Sequence, residues 1–538
     1  MSDEPKKATP TGTGAGRGVL YIAFAKFYFM FVGLVVQVRL PAILSHAAWG
    51  SYSFVNSLVS PVNNVLVTGS IQAVSKFAAA EPEKARRVQQ AGFRMHVRLG
   101  LIVALLFIAA APLVSWAFLD MSKTVPLMIA GLIIGGNAFY AVFVGTANGL
   151  HQFHKQAGLD ITFATLRSAG LVGMAMAGLG VVGVVSGWAA AVGAIVMIAA
   201  TWIGLPGRDG TLVGEKLPVK PMIQFFIGVA IYLALFNALM FVDTWLIKRL
   251  TTEYYASHAD SLKAAVAQVV PWAPGASGYH PNPSVLADVQ VGYYAAVQNL
   301  ARLSYQAIIA ATFVVFPLVS RSTFTDDRET TKRYIAVTMR YSLIFAMAIA
   351  VVMAANPVDV LGLVYAPDYA QKGGMALTLL ALGNVAFSVF AIAGTILNGA
   401  GMSRMAIIIA GLTLALAAVG NFIAIPMAVD DGRVLETAAA VTGSAMLIGA
   451  IAGGLILHKQ LGAFLPAISL GRIAIATATA LAVGRVLPLH GKLMTLAEAV
   501  VVGVTFLVVL VATRELGKRD LEAIKAVRKK RAAAGGES

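Results

Sequence analysis

The 538-residue sequence contains no cysteine, so neither disulfides nor thiolate metal sites contribute to it. Charged residues are scarce, at 12%, which is too few for the surface of a soluble domain of this length. No glycine-rich loop followed by Lys-Ser or Lys-Thr is present, which argues against direct use of ATP. The histidines form no metal constellation. His151 and His154 stand three apart at a helix end, and His258 and His280 lie in a polar stretch without carboxylates at ligand spacing, so no metal and no cofactor is expected. A cleavable signal peptide is also missing from the pattern, because Met1 to Arg17 is polar and leads into a helix too long for a signal's apolar core.

What is there is apolar. The hydrophobic fraction is 58% and the mean hydropathy +0.78, values of an integral membrane protein. Runs of roughly 20 apolar residues predict an all-α chain of about fourteen transmembrane helices. Helix two is expected from Gly50 to Phe77, helix seven from Met222 to Ile247 and helix eight from Val291 to Val319. The positive-inside rule fixes the orientation. With the N-terminus cytoplasmic, most of the 41 Lys and Arg fall in the inner loops and tails, so both termini are expected inside. The net charge of +16 then reflects topology and attraction to anionic membrane lipids, and not nucleic-acid binding.

The chain also repeats itself. Gly50-Ser-Tyr52 to Leu58 returns as Gly292-Tyr-Tyr294 to Leu300, Arg98 to Ile102 returns as Arg340 to Ile344, and Gly145-Thr-Ala-Asn148-Gly149 returns, with one residue inserted, as Gly394 to Gly399. Related helices lie six spans apart and so cross in the same sense. This predicts two parallel six-helix repeats forming two lobes around a central cavity, plus two extra C-terminal helices. The expected divisions are a cytoplasmic tail at 1–17, an N-lobe at 18–217, a C-lobe at 218–458 with an outer insertion at 251–290, the extra helices at 459–513 and a basic tail at 514–538. The insertion holds a short helical piece, Ser261 to Val270, then turn-rich Pro271-Trp-Ala-Pro274 and His280-Pro-Asn-Pro283.

Each copy of the repeat carries a polar stripe at helical spacing. Tyr52, Asn56, Ser60, Asn63 and Asn64 form the first, and Tyr294, Gln298, Arg302, Tyr305 and Gln306 the second. Polar groups in a membrane span are expected to avoid lipid, so both stripes should face the interior. Pro61 beside Asn63 and Asn64 suggests a kinked second helix, either a hinge or a packing feature.

Val242-Asp243-Thr-Trp-Leu-Ile-Lys248, followed after the insertion by Val291 to Leu303, resembles the start of the second lobe in bacterial polysaccharide-unit flippases, which belong to the multidrug, oligosaccharidyl-lipid and polysaccharide exporter superfamily. Val364-Tyr-Ala-Pro-Asp368-Tyr369, Ala376 to Leu380 and Asn398-Gly-Ala-Gly401-Met-Ser-Arg404 are similar to that family's ninth-to-eleventh-helix region. Gly69-Ser-Ile-Gln72 to Lys76 is similar to the end of its second helix, especially in lipid II exporters. The resemblance spans most of Val19 to Leu457.

It implies a non-enzymatic transporter of the bacterial inner membrane. Such proteins move an undecaprenyl-pyrophosphate-linked oligosaccharide from the cytoplasmic to the periplasmic leaflet by alternating access. The implied partners are the lipid-linked oligosaccharide, membrane lipids, a proton or sodium ion and the polysaccharide polymerase machinery. Lipid II export is the alternative within that class. A drug or cation antiporter of the same superfamily would need an acidic, aromatic cavity. An enzyme acting on lipid-linked sugars would have to use His258, Asp260 and His280 on the insertion.

A diphosphate calls for cations that stay charged in a low-dielectric cavity. Lys26, Arg167 and Arg302 are the intramembrane candidates. Lys26 either lines the cavity or snorkels to the inner interface. Asp160, seven residues before Arg167 on the same helix face, could neutralise it; Arg302 could equally make an inter-helix ion pair. Arg39 near the outer end of helix one either joins the cavity or flanks the span. Asp243 either pairs with a cavity cation, couples an ion, or serves Lys248.

Overall fold

The computed structural model describes residues 12–206, 218–269, 282–305, 328–487 and 491–517. Gln306, the turn-rich part of the insertion and the basic tail after Gly517 lie outside the described residues. Those described fold as an all-helical bundle with no strand among them.

The first half comprises α1 (Gly12–Ile43), α2 (His46–Ala80), α3 (Ala85–Arg98), α4 (Gly100–Ala117), α5 (Thr124–Gly149), α6 (Phe153–Met176) and α7 (Gly180–Ile203). The second comprises α8 (Val219–Leu239), α9 (Val242–Ser257), α10 (Ala259–Val269), α11 (Pro283–Ala301), α12 (Arg328–Ala355), α13 (Pro357–Val364), α14 (Pro367–Gly399), α15 (Ser403–Met427) and α16 (Val434–Leu461). Two further helices, α17 (Ala467–Val486) and α18 (Lys492–Ala512), complete the described chain.

Among the described residues, eleven segments are long and apolar enough to cross a membrane. The long helices α2, α6 and α11 fail that test because of their polar residues, yet they pack inside the same bundle. Counting them gives the fourteen expected spans. Two of these three, α2 and α11, are the helices that carry the polar stripes.

Each half packs mainly on itself. In the first, α5 nests against α2, α4 and α7, while α1 lies along α6. In the second, α14 packs on α16, α12 and α11, and α15 bridges α16, α9 and α8. Small residues permit the tightest of these contacts. A side chain on Gly383 of α14 would come within 2.7 Å of the Gly443 Cα on α16, the kind of close approach on which helix association in lipid depends. The seam between the halves is made chiefly by α2, which packs against α11 toward one end and against α8 toward the other. The last pair, α17 and α18, pack on each other and on α12 and α13 at the edge of the second half.

Helix boundaries differ from expectation in three places. Helix two runs unbroken through Pro61 from His46 to Ala80. Helix seven is interrupted at Met240-Phe241, so that α8 and α9 are separate rods. Much of the expected outer insertion is helical, because α9 continues to Ser257 and α11 starts at Pro283, where Asn282 caps it by accepting from the Ser284 amide at 3.0 Å.

Candidate substrate path between the lobes

The interruption of helix seven frees backbone carbonyls that lipid cannot satisfy. Arg302, at the C-terminal end of α11, fills that need. Its Nη2 donates to the Met240 carbonyl at 2.5 Å, and the guanidinium lies over the Phe241 ring at 4.3 Å. One turn on, Asp243 is 1% exposed and its carboxylate is held by neutral donors. Tyr294 donates to Oδ2 at 2.7 Å; the Thr244 amide and Gln298 Nε2 donate to Oδ1 at 2.7 and 3.0 Å. Asp243, Gln298 and Arg302, with Asn384, Leu380 and Met446, line a small cavity. The Asn384 amide nitrogen is buried there with no hydrogen-bond partner among the described residues. The second polar stripe, as far as Tyr305, therefore faces inward, and it gathers an acid, a cation and a spare donor in one place.

The first stripe builds a different site from equivalent positions. Tyr52, the counterpart of Tyr294, is buried, and the charge beside its hydroxyl is the Arg167 guanidinium. That guanidinium lies 4.3 Å from the Trp188 ring, and its Nε has no hydrogen-bond partner among the described residues. Where one lobe sets an acid against the tyrosine, the other sets a cation. Farther along α2, Asn56 accepts from Ser60 at 3.0 Å, and Asn64 donates across the seam to Asn237 of α8 at 2.7 Å. The Asn63 side-chain oxygen is buried without a partner among the described residues.

Several expected pairings are different in the structure. Asp160 accepts from Lys26 at 2.8 Å, so it neutralises α1 and not Arg167, because α1 packs directly along α6. The Lys26 side chain remains 57% exposed. Lys248 does not serve Asp243; five residues apart on a helix, the two point about 140° from each other. Arg39 is exposed and makes no hydrogen bond or ion pair among the described residues.

Two clusters at the seam were not anticipated. His46, at the start of α2, bonds Asp368 at the start of α14, stacks on Tyr369 with centroids 5.0 Å apart and meets the edge of Tyr293. Deeper burial marks the second. Asp120 and Lys123, between α4 and α5, meet Lys248 of α9 and Asp288 of α11. Lys123 lies 2.7 Å from both carboxylates, and Lys248 2.8 Å from both. All four side chains are at most 5% exposed. Burial pushes the Asp120 carboxyl up, but the ammonium groups of Lys248 and then Lys123 outweigh it and hold that carboxyl well below the usual carboxylate range. The available sequence signal was four charges at span ends, which loop flanks supply everywhere.

No family model and no curated protein matches the sequence. Solved structures do. The lipid II flippase MurJ in an inward-closed conformation superimposes with a TM-score of 0.68 at 11% identity, covering 92% of this chain and 99% of that one. An inward-facing multidrug-resistance MATE transporter of the MOP superfamily gives 0.54 at 14% identity over 81% of this chain and 94% of its own. A MATE structure in the straight conformation gives 0.56 at 13%, over 85% and 99%. The chain has the fold of these membrane transporters.

Proposed function

We propose that this protein moves an undecaprenyl-pyrophosphate-linked oligosaccharide from the cytoplasmic to the periplasmic leaflet of the bacterial inner membrane by alternating access of its two lobes. The observation that carries the proposal is the arrangement along the seam, where an intramembrane arginine stands in each lobe beside a stripe tyrosine. Arg167 lies near Tyr52, and Arg302 near Tyr294 and Asp243. A diphosphate needs planar cationic donors with spare hydrogen-bonding capacity in a site shielded from water. Arg167 has that capacity, because its Nε is unused and Asp160 is taken by Lys26. Arg302 and Lys26 would assist from the second lobe and from α1, and Asn56, Asn63, Asn64 and Gln298 would meet neutral hydroxyls. Asp243, ringed by donors beside the spare Asn384 amide, would take and release the driving proton or sodium ion.

The likeness to a lipid II flippase keeps lipid II as the second substrate in this class. It shares the polyprenyl diphosphate, so the cationic requirement is the same. A drug antiporter is less well supported. Its cargo would favour uncompensated acid in the cavity, whereas the acid here, Asp243, has the Arg302 charge close by. In cells depleted of the protein, the lipid-linked unit should accumulate in the cytoplasmic leaflet and be released by the wild-type chain. Arg167→Ala, expressed and inserted normally, should fail to release it; normal surface glycan with Arg167→Ala and Arg302→Ala combined would refute the cationic path.

A further inference from the structure

The buried square of Asp120, Lys123, Lys248 and Asp288 lies across the seam, with one acid and one base from each half of the chain. Each ammonium touches both carboxylates. Two of the four contacts, Asp120–Lys123 and Lys248–Asp288, therefore lie within a lobe. The other two, Asp120–Lys248 and Lys123–Asp288, cross between lobes. We propose that this square is the latch that closes the outer end of the transport path, and that opening breaks only the two crossing contacts. The proposal rests on the alternating-access reading above.

The geometry suits a reversible closure. Parting the lobes leaves each charge with an opposite partner on its own side, so no buried ion is stranded, a state that would be strongly disfavoured. Water entering the gap hydrates charges whose burial was costly, and this offsets the attraction that is lost. Further anchors sit inside each lobe. Asp120 also accepts from the Ser122 hydroxyl at 2.6 Å, and Lys248 also donates to the Ser284 carbonyl at 2.7 Å. Close helix packing surrounds the square. The Gly50 backbone on α2 abuts the Asp288 carbonyl on α11, and the Trp49 indole donates to the Gly292 carbonyl at 3.0 Å. A like-for-like apolar seal would close as well but would not define one register between the lobes.

The absence of native cysteine gives a clean test. Ser57 lies two turns along α2 from Gly50, is 1% exposed and accepts from Trp245 across the seam at 3.0 Å. With Ser57→Cys as the only thiol, a membrane-impermeant maleimide applied from the periplasmic side reads the opening of that end. Reversing one lobe's pair, Asp120→Lys with Lys123→Asp, keeps the in-lobe contact and makes both crossing contacts repulsive. Labelling should then rise about tenfold or more as the open population grows. Adding Lys248→Asp and Asp288→Lys restores opposite charges across the seam and should return labelling to near its starting rate. Unchanged labelling in the half-reversed protein, or equally fast labelling in the fully reversed one, would overturn the latch. Because labelling needs no substrate, its outcome is independent of whether the cargo has been identified correctly.

Discussion

Gly50 and Gly292 occupy the same place in the two copies of the repeat and meet each other where α2 crosses α11. A Cβ on Gly50 would lie 1.6 Å from the Asp288 carbonyl oxygen and 2.9 Å from the Gly292 nitrogen, whereas one on Gly292 would lie 3.0 Å from the His46 carbonyl oxygen. The halves are related by an internal repetition, and the repeated element itself forms the contact between them.

That asymmetry predicts unequal costs. Gly50→Ala forces backbone apart and should destabilise this seam by about 1–3 kcal/mol, the usual penalty for overpacking. Gly292→Ala should cost less. Thermal melting of the purified protein in detergent checks the order, and a smaller loss for Gly50→Ala would contradict it.

Lys26 and Asp160 should behave as a pair. Lys26→Met leaves the Asp160 carboxylate, 9% exposed, without its cation and should destabilise the protein by about 1–3 kcal/mol, below the 3–5 kcal/mol of fully buried pairs because Lys26 is half exposed. Asp160→Asn added to Lys26→Met should recover most of the loss. A double-mutant cycle measured by melting decides it; additive effects would mean that the pair contributes nothing.

Tyr294→Phe removes the donor to Oδ2 of the Asp243 carboxylate. A hydrogen bond to a charged group contributes about 1.5–3 kcal/mol, so the dependence of transport on the driving ion should shift by roughly tenfold or more, with membrane insertion unchanged. Asp243→Asn should abolish the dependence. Transport by Asp243→Asn that still follows the proton or sodium gradient would remove Asp243 from coupling.

Acid should loosen the C-terminal helices. Glu515 accepts from Arg340 at 2.8 Å and is paired with Arg472 at 3.4 Å, joining the end of α18 to α12 and α17. Burial raises its carboxyl, but the hydrogen bond from Arg340, with those of Ser469 and Arg472 and the Arg340 charge, brings it below the ordinary glutamate value. A carboxylate depressed in the folded state adds stability that is complete above its unfolded pKa of about 4.3 and is lost as pH falls through the folded value. The gap in melting temperature between wild type and Glu515→Gln should be constant from about pH 7 to 5 and should shrink below about pH 4. A gap that widens on acidification would reverse the sign and defeat this reading.

The helices and the repeat were legible in the sequence because both rest on local patterns. Apolar runs mark spans, and Gly-x-Tyr at matching offsets marks the duplication. Tyr294, Gln298 and Arg302 were also readable as an inward-facing group, since a polar stripe in a membrane span has few other places to go. The square was not readable. Lys123 and Lys248 stand among flanking charges of ordinary appearance, and only the packing of α5, α9 and α11 brings them to the same two carboxylates. The Lys26–Asp160 pair depended likewise on which helix α1 leans against. The break at Met240-Phe241 has no proline or glycine to announce it; Arg302, 62 residues later, supplies the hydrogen bond that makes it tolerable.

The central claim is movement of a polyprenyl diphosphate-linked sugar, and reconstitution tests it most directly. Purified protein in liposomes carrying a fluorescent undecaprenyl-pyrophosphate oligosaccharide is given a membrane-impermeant quencher, with a proton or sodium gradient imposed. The account predicts that wild-type protein carries the protected half of the fluorescence to the quenched leaflet, and that the Arg167→Ala, Arg302→Ala double variant leaves it protected. Equal movement by the two proteins, or none by the wild type under either gradient, would contradict it.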